Sequence, residues 1–209
     1  MTKYELYFIM WVHIKERAVF SMPNKRTKAL TEEQYNDIID TMREGFTGCR
    51  PNNRIATALV LEANLGIRIS DILNLKLNDI VKDGNRYRLD IVEIKTKKKR
   101  IFTVPIDVYS YIQSYCIDND IRPDEVIFPL SERAIQKHLK LVCDWLGYED
   151  ISTHSFRKFF ATEIYKNNDY NIILVQKLLQ HSTPAVTQKY IGLSSKEIET
   201  ALGKHIRLK

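Results

Sequence analysis

The stretch IVKDGNRYRLDIVEIKTKKKRIFTV, residues 80–104, breaks the character of the chain and decides its fold class. Asp83-Gly84-Asn85 has the composition of a turn, and behind it Tyr87, Leu89 and Ile91 alternate with Arg88 and Asp90, the period of a half-buried strand. Residues 101–104 are β-branched or aromatic. These runs predict a small antiparallel sheet with residues 95–99 near a hairpin tip. The segments on either side carry the helical period instead, so the expected fold is mostly α with one small antiparallel β-sheet.

Upstream, Thr31-Glu32-Glu33-Gln34 has capping-box form, followed by Tyr35, Ile38, Ile39, Met42 and Phe46 at helical spacing. A loop through Gly48 and Pro51 leads to a second helix over 53–65, which Gly66 can close in the left-handed conformation. Ser70 is placed to open a third helix over 71–75. Downstream, helices are expected from Asp107, after Ser131 with Gly147 as terminator, over 155–167 and over 172–180. A short turn follows from Pro184, then a helix over 194–202 with Ser194 and Glu197 as its capping box. With no internal repeat, low-complexity tract or second core, the chain divides into an N-terminal extension with a basic linker, residues 1–30, and one domain, residues 31–209.

The 209 residues are 44% hydrophobic, enough for a sizeable core. Lys and Arg number 32 against 26 Asp and Glu, a surplus of +6 that favours a polyanionic partner without identifying one. Cys49, Cys116 and Cys143 are odd in number, far apart and outside any Cys/His cluster, which suggests neither a disulfide framework nor a zinc site and fits a reducing compartment. The apolar run over residues 6–12 is too short to span a bilayer and is bracketed by charge. It reads as an element packing on the core, or as a leader upstream of an alternative start at Met22.

Four places carry residues suited to chemistry on an anion. Arg68 lies between the glycine that ends one helix and the serine placed to open the next, where its planar fork can hold two phosphate oxygens; the bland reading is an ion pair with Asp71. His154 and Arg157 sit three apart at the mouth of a helix, on one face, where the helix N-terminus already favours an anion. His181 follows an apolar helix and can equally cap its C-terminus, and Tyr190, nine residues on, can equally be a half-buried surface aromatic. Lys95 begins a basic run whose plain reading is a solvated hairpin tip, and whose functional reading is a lysine that reaches into a DNA groove to protonate a departing oxygen.

Taken in order, Gly66-Ile67-Arg68-Ile69-Ser70-Asp71, Lys95-Thr96, His154-Ser155-Phe156-Arg157, Leu178-Leu179-Gln180-His181-Ser182 and Tyr190-Ile191-Gly192 resemble the pattern of the phage integrase, or tyrosine recombinase, family. The resemblance covers residues 31–202 and implies that family's catalytic-domain fold. It implies an arginine clamp of Arg68 and Arg157, Lys95 as the general acid, His154 in proton transfer, His181 on the phosphate and Tyr190 as the nucleophile, with Asp71 buttressing Arg68. Two departures stand out. Gln180 occupies a position where many members have glycine or asparagine, and the chain is too short for the additional DNA-clamping domain of typical integrases. The sequence is therefore expected to be a short stand-alone recombinase, similar to fimbrial phase-variation invertases, or a truncated piece.

By resemblance, the expected activity is site-specific cutting and rejoining of DNA through a 3′-phosphotyrosyl intermediate, with no metal, cofactor or ATP. Double-stranded DNA is the implied partner, a homotetramer on DNA the implied assembly, and the cytoplasm, at the nucleoid, the implied location, with no membrane association. The rival readings are a non-catalytic DNA-binding protein of the same fold and a type IB topoisomerase-like enzyme.

Overall fold

The capping box at Thr31 forms: Thr31 Oγ1 accepts from the Gln34 N–H and Gln34 Oε1 accepts from the Thr31 N–H, both at 3.1 Å, opening α1 (Glu32–Glu44). The computed structural model describes residues 27–191, so the expectations for residues 6–12 and 194–202 lie outside the described residues. In α2 (Asn53–Leu65) the Asn52 side chain caps the Ile55 N–H at 3.1 Å, and buried positions run almost all round the helix. A helix apolar on nearly every side belongs at the centre of a domain. α2 packs against α1 on one side and α6 (Thr153–Asn167) on the other.

Gly66 ends α2 at φ +57°, and a Cβ there would fall 2.2 Å from Cδ1 of Phe160 on α6. Both the left-handed conformation and the close approach demand glycine. The next helix, α3 (Ile69–Ile72), begins at Arg68 rather than at Ser70 as the sequence suggested. The Arg68 carbonyl itself accepts from the Asp71 and Ile72 N–H groups at 2.9 and 3.0 Å, so the turn closes without a side-chain cap.

The predicted sheet is three-stranded, in the order β1 (Ile80–Asp83), β2 (Arg86–Val92), β3 (Lys99–Val104), all antiparallel. Leu89 lies opposite both Ile80 and Phe102, and the inward face is covered by α4 (Ile106–Asp118), where Tyr109 stacks on Tyr87 with ring centroids 3.7 Å apart. α5 (Glu132–Leu146) is capped by Ser131 and terminated by Gly147 as expected. α6 starts two residues before its predicted onset because Ser152 and Ser155 form a reciprocal capping box. α7 (Ile172–Leu179) is followed by a true two-turn helix, α8 (Pro184–Ile191), where the sequence suggested only a short turn.

The expectation of no second core needs correcting. One large cluster joins α1 to α6 with the sheet, whereas Ala161, Val175 and Leu179, with Phe160, Tyr190 and Ile191 against them, form a small satellite under α7 and α8. Among the described residues no helix is long and apolar enough to cross a membrane.

Glu62 is the anomaly of α2: it is fully buried and neither carboxylate oxygen makes a well-formed hydrogen bond. Burial pushes its pKa well above the ordinary 4.5, against a smaller opposing pull from Arg157 and the Ile69 N–H. A carboxyl raised in the folded state stabilises the fold below its unfolded pKa and loses that contribution as pH rises through the folded value. Glu62→Gln is therefore expected to raise Tm at pH 8, by about 2–4 °C per kcal/mol relieved at this chain length. The gain should shrink towards pH 5 in thermal melts across that range. A lower Tm at pH 8 would instead mean that the carboxylate serves Arg157 as its counter-ion.

Candidate active site

Arg68, at the corner between α2 and α3, is fixed by a 2.6 Å ion pair from Nη1 to Glu93 Oε2. This overturns the expected partner. Asp71 is not the acid that grips Arg68; its Oδ1 accepts from the Ile94 N–H at 2.8 Å and so pins the base of the β2–β3 hairpin. Geometry explains the switch, because Asp71 points from α3 across to the hairpin backbone, while Glu93 continues the inward parity of Leu89 and Ile91 and arrives under Arg68.

Arg68, Lys95 and His154 line one cleft of about 240 Å³, whose walls also include Ser70, Glu132 and Gln136. Lys95 is exposed on the hairpin turn, as the sequence placed it. His154, in the first turn of α6, has its pKa lowered by partial burial and then by the charges of Arg157, Lys95 and Arg68, so the ring is neutral near pH 7. Arg157, one turn further along, is 2% exposed; its Nη2 donates to the Leu179 carbonyl at 3.1 Å, and Nη1 is buried without a well-formed partner.

The other half of the site sits on the satellite cluster. His181 Nδ1 is 3.0 Å from Thr187 Oγ1, and its ring meets that of Tyr190 edge-on, centroids 5.1 Å apart. Lys158 Nζ lies 5.4 Å from the centroid of the Tyr190 ring. Burial and then Arg157, Arg68 and Arg100 depress His181 to about 4. Tyr190 Oη is buried without a well-formed hydrogen bond, and burial pushes it up to about 12 despite the opposing pull of nearby Arg157. The structure thus gathers all six residues singled out in the sequence around one cationic centre, and Gln180 joins α7 to it. Gln180 takes the left-handed conformation at φ +55° in place of glycine and donates from Nε2 to the Lys99 carbonyl at 3.0 Å.

The sequence model of the phage integrase family matches residues 28–197. The chain belongs to the phage integrase family. It is 32% identical over 149 residues to the probable integrase/recombinase YoeC of Bacillus subtilis, covering 68% of this chain and 79% of that protein. It is 31% identical over 154 residues to the tyrosine recombinase XerC of Bradyrhizobium diazoefficiens, covering 69% of this chain but only 47% of XerC. The fold matches that of the XerH site-specific recombinase in a pre-cleavage complex with difH substrate, with a TM-score of 0.63 at 20% identity, over 87% of this chain and 55% of that one. It also matches the catalytic domain of bacteriophage HP1 integrase, with a TM-score of 0.57 at 18% identity, over 86% of this chain and 96% of that one.

Sequence reasoning missed Glu93 and Arg100, two further charges at this integrase-family centre. Both are buried, Glu93 completely, and Arg100 Nη1 donates to Glu93 Oε1 at 3.0 Å. The signal was in the strand period: Glu93 shares the face of Leu89 and Ile91, and Arg100 that of Phe102 and Val104, so each charge falls on an inward position.

The low pKa of His181 is testable. Its ring resonances should titrate near pH 4 in the DNA-free protein, and Arg68→Ala should move the midpoint upward because a cation near the ring is gone. A wild-type NMR midpoint near 6.5 would show that the ring is not held among the guanidiniums.

Proposed function

We propose that this chain carries the catalytic domain, from Thr31 onward, of a site-specific DNA recombinase that cuts and rejoins strands through Tyr190. The observation that carries the reading is the convergence of Arg68, Lys95, His154, Arg157, His181 and Tyr190 on one centre, within a chain of this family. DNA as the partner is supported by the basic surplus and by the structural likeness to XerH bound to difH.

In this reaction Tyr190 Oη attacks the scissile phosphorus, its proton passes to the neutral imidazole of His154, and the bond from phosphorus to the 5′ oxygen breaks. Lys95 supplies the proton that the departing 5′ oxygen needs. The charge built on the non-bridging oxygens is met by Arg68, Arg157 and a hydrogen bond from His181. The product is a 3′-phosphotyrosyl ester, which conserves the energy of the broken bond. A 5′ hydroxyl of another strand then attacks this ester, so ligation consumes no nucleotide. The residues themselves supply charge neutralisation and both proton transfers, and the proposed chemistry calls for no metal. Exchange between two duplexes calls for a tetramer on DNA.

The test is to incubate the chain in EDTA with nicked DNA carrying the sequences that flank its gene, quench with detergent, and look for a protein band retarded by attached DNA. The wild type should give the adduct, and Tyr190→Phe should abolish it while leaving DNA affinity nearly unchanged. Arg68→Ala should slow adduct formation by about 10²–10³-fold, the size of loss seen when one preorganised donor to a developing oxyanion is removed. DNA binding without any adduct would sink the recombinase reading in favour of a non-catalytic binder.

A further inference from the structure

The buried carboxylate of Glu93 lies where three parts of the site meet. Oε2 accepts from Arg68 Nη1 and from Thr96 Oγ1, each at 2.6 Å, and Oε1 accepts from Arg100 Nη1 at 3.0 Å. The backbone of the same residue closes the hairpin turn: its N–H donates to the Lys98 carbonyl and its carbonyl accepts from the Lys97 N–H, both at 2.9 Å. Lys95 lies inside that turn. Arg100 in turn reaches the Leu178 carbonyl at the end of α7, two residues before the Gln180 that bonds back to Lys99. One fully buried residue therefore touches the first arginine of the clamp, frames the turn that carries the lysine, and connects through Arg100 to the helix that leads into His181.

We propose that Glu93 is a positioning residue for the reaction, holding the Arg68 guanidinium against the phosphate site and fixing its placement relative to the hairpin that carries Lys95. Only Nη1 of Arg68 is used in this ion pair, which leaves the rest of the fork for phosphate oxygens. A carboxylate is suited to the task because it can receive Arg68, Arg100 and Thr96 at once, and a neutral amide in its place would have to point its own donor at one of them. Burial alone would raise the pKa of Glu93, but the hydrogen bonds from Thr96 and Arg68 and the charges of Arg68 and Arg100 outweigh it, so the group is ionised at working pH. The proposal rests on the phosphodiester-cleaving reading above.

A double-mutant cycle on single-turnover adduct formation tests it, using the wild type, Glu93→Gln, Arg68→Ala and the double variant with the nicked DNA described above. Glu93→Gln should slow the reaction roughly tenfold to hundredfold, the loss usual when a group that orients an active-site ligand is removed. In the Arg68→Ala background the same change should have almost no further effect, because its target is gone. A second substrate locates the loss: with sulfur in place of the scissile 5′ oxygen the leaving group needs no acid, so Lys95→Ala should be rescued and Glu93→Gln should stay slow. Equal losses in both backgrounds would overturn the proposal in favour of a purely structural carboxylate. Should Glu93→Gln fail to fold, Glu93→Asp, which keeps the charge and shortens the reach, goes through the same cycle with the same criteria. If the wild type forms no adduct, the recombinase reading falls and takes this role with it; if the wild type reacts and Glu93→Gln matches it, only the positioning role falls.

Discussion

A single carboxylate shared by two guanidiniums organises the centre of this domain. Glu93 has no exposure, Arg100 has 2%, and Arg68, at the cleft wall, keeps 19% of its side chain accessible. An isolated charge at that depth would be costly to bury, and the arrangement is tolerable because Glu93 is paired twice, receives a hydroxyl as well, and leaves few lone pairs unserved. Breaking such a pair from one side leaves the other charge stranded, so the network fixes relative positions more than it adds net stability. Its geometric product is that α3, the β2–β3 hairpin and the end of α7 are held in one register around the cleft.

The remaining electrostatics are set by a contest between burial and clustered positive charge. Arg100 is pulled down to about 10 by burial and then by Arg157, which shows how crowded with cations the centre is without DNA. Burial first, and then the same crowd, keeps both histidines neutral, the state in which His154 can accept a proton and His181 can donate a hydrogen bond. For Tyr190 the crowd loses: burial outweighs Arg157, and the phenol stays protonated. On the proposed reading, arrival of a phosphate would draw the guanidiniums to the anion and weaken their pull on the phenol, so removal of its proton would fall to a neutral base rather than to the surrounding charge alone.

Much of this was legible in the chain because each signal was local. The capping box at Thr31, the left-handed terminators Gly66 and Gly147 and the alternation of Tyr87, Leu89 and Ile91 all act over a few residues, and they form as read. The six candidate residues were singled out through their order along the chain. What escaped was long-range. Arg68 and Glu93 are 25 residues apart, and nothing local distinguishes Glu93 from Asp71 as the partner; only the hairpin's approach to α3 decides it. The true starts of α3 and α6 were missed for a related reason: a backbone carbonyl, and a pair of serines that cap each other, displaced the single side-chain cap that the sequence suggested.

The partition of the site between two clusters has a mechanical consequence. Arg68, Glu93, Lys95 and the start of α6 are tied to the main core, whereas Tyr190 rests on three fully buried apolar residues and their partly buried neighbours. Elements with little buried apolar contact open at lower free energy than the core they lean on. On the proposed reading, Arg68 and Arg157 would hold the phosphate from the side of the main core, while the helix that carries Tyr190 leans on the smaller cluster. Beyond α6, which runs through both, the hydrogen bonds that tie them among the described residues include Arg157 to the Leu179 carbonyl, Gln180 to the Lys99 carbonyl, and Arg100 to the Leu178 carbonyl. All three meet at residues 178–180, so the short end of α7 ties the guanidiniums and the hairpin to the segment leading into His181 and Tyr190, and on the proposed reading it is the joint that would bring a bound phosphate and the attacking oxygen into line.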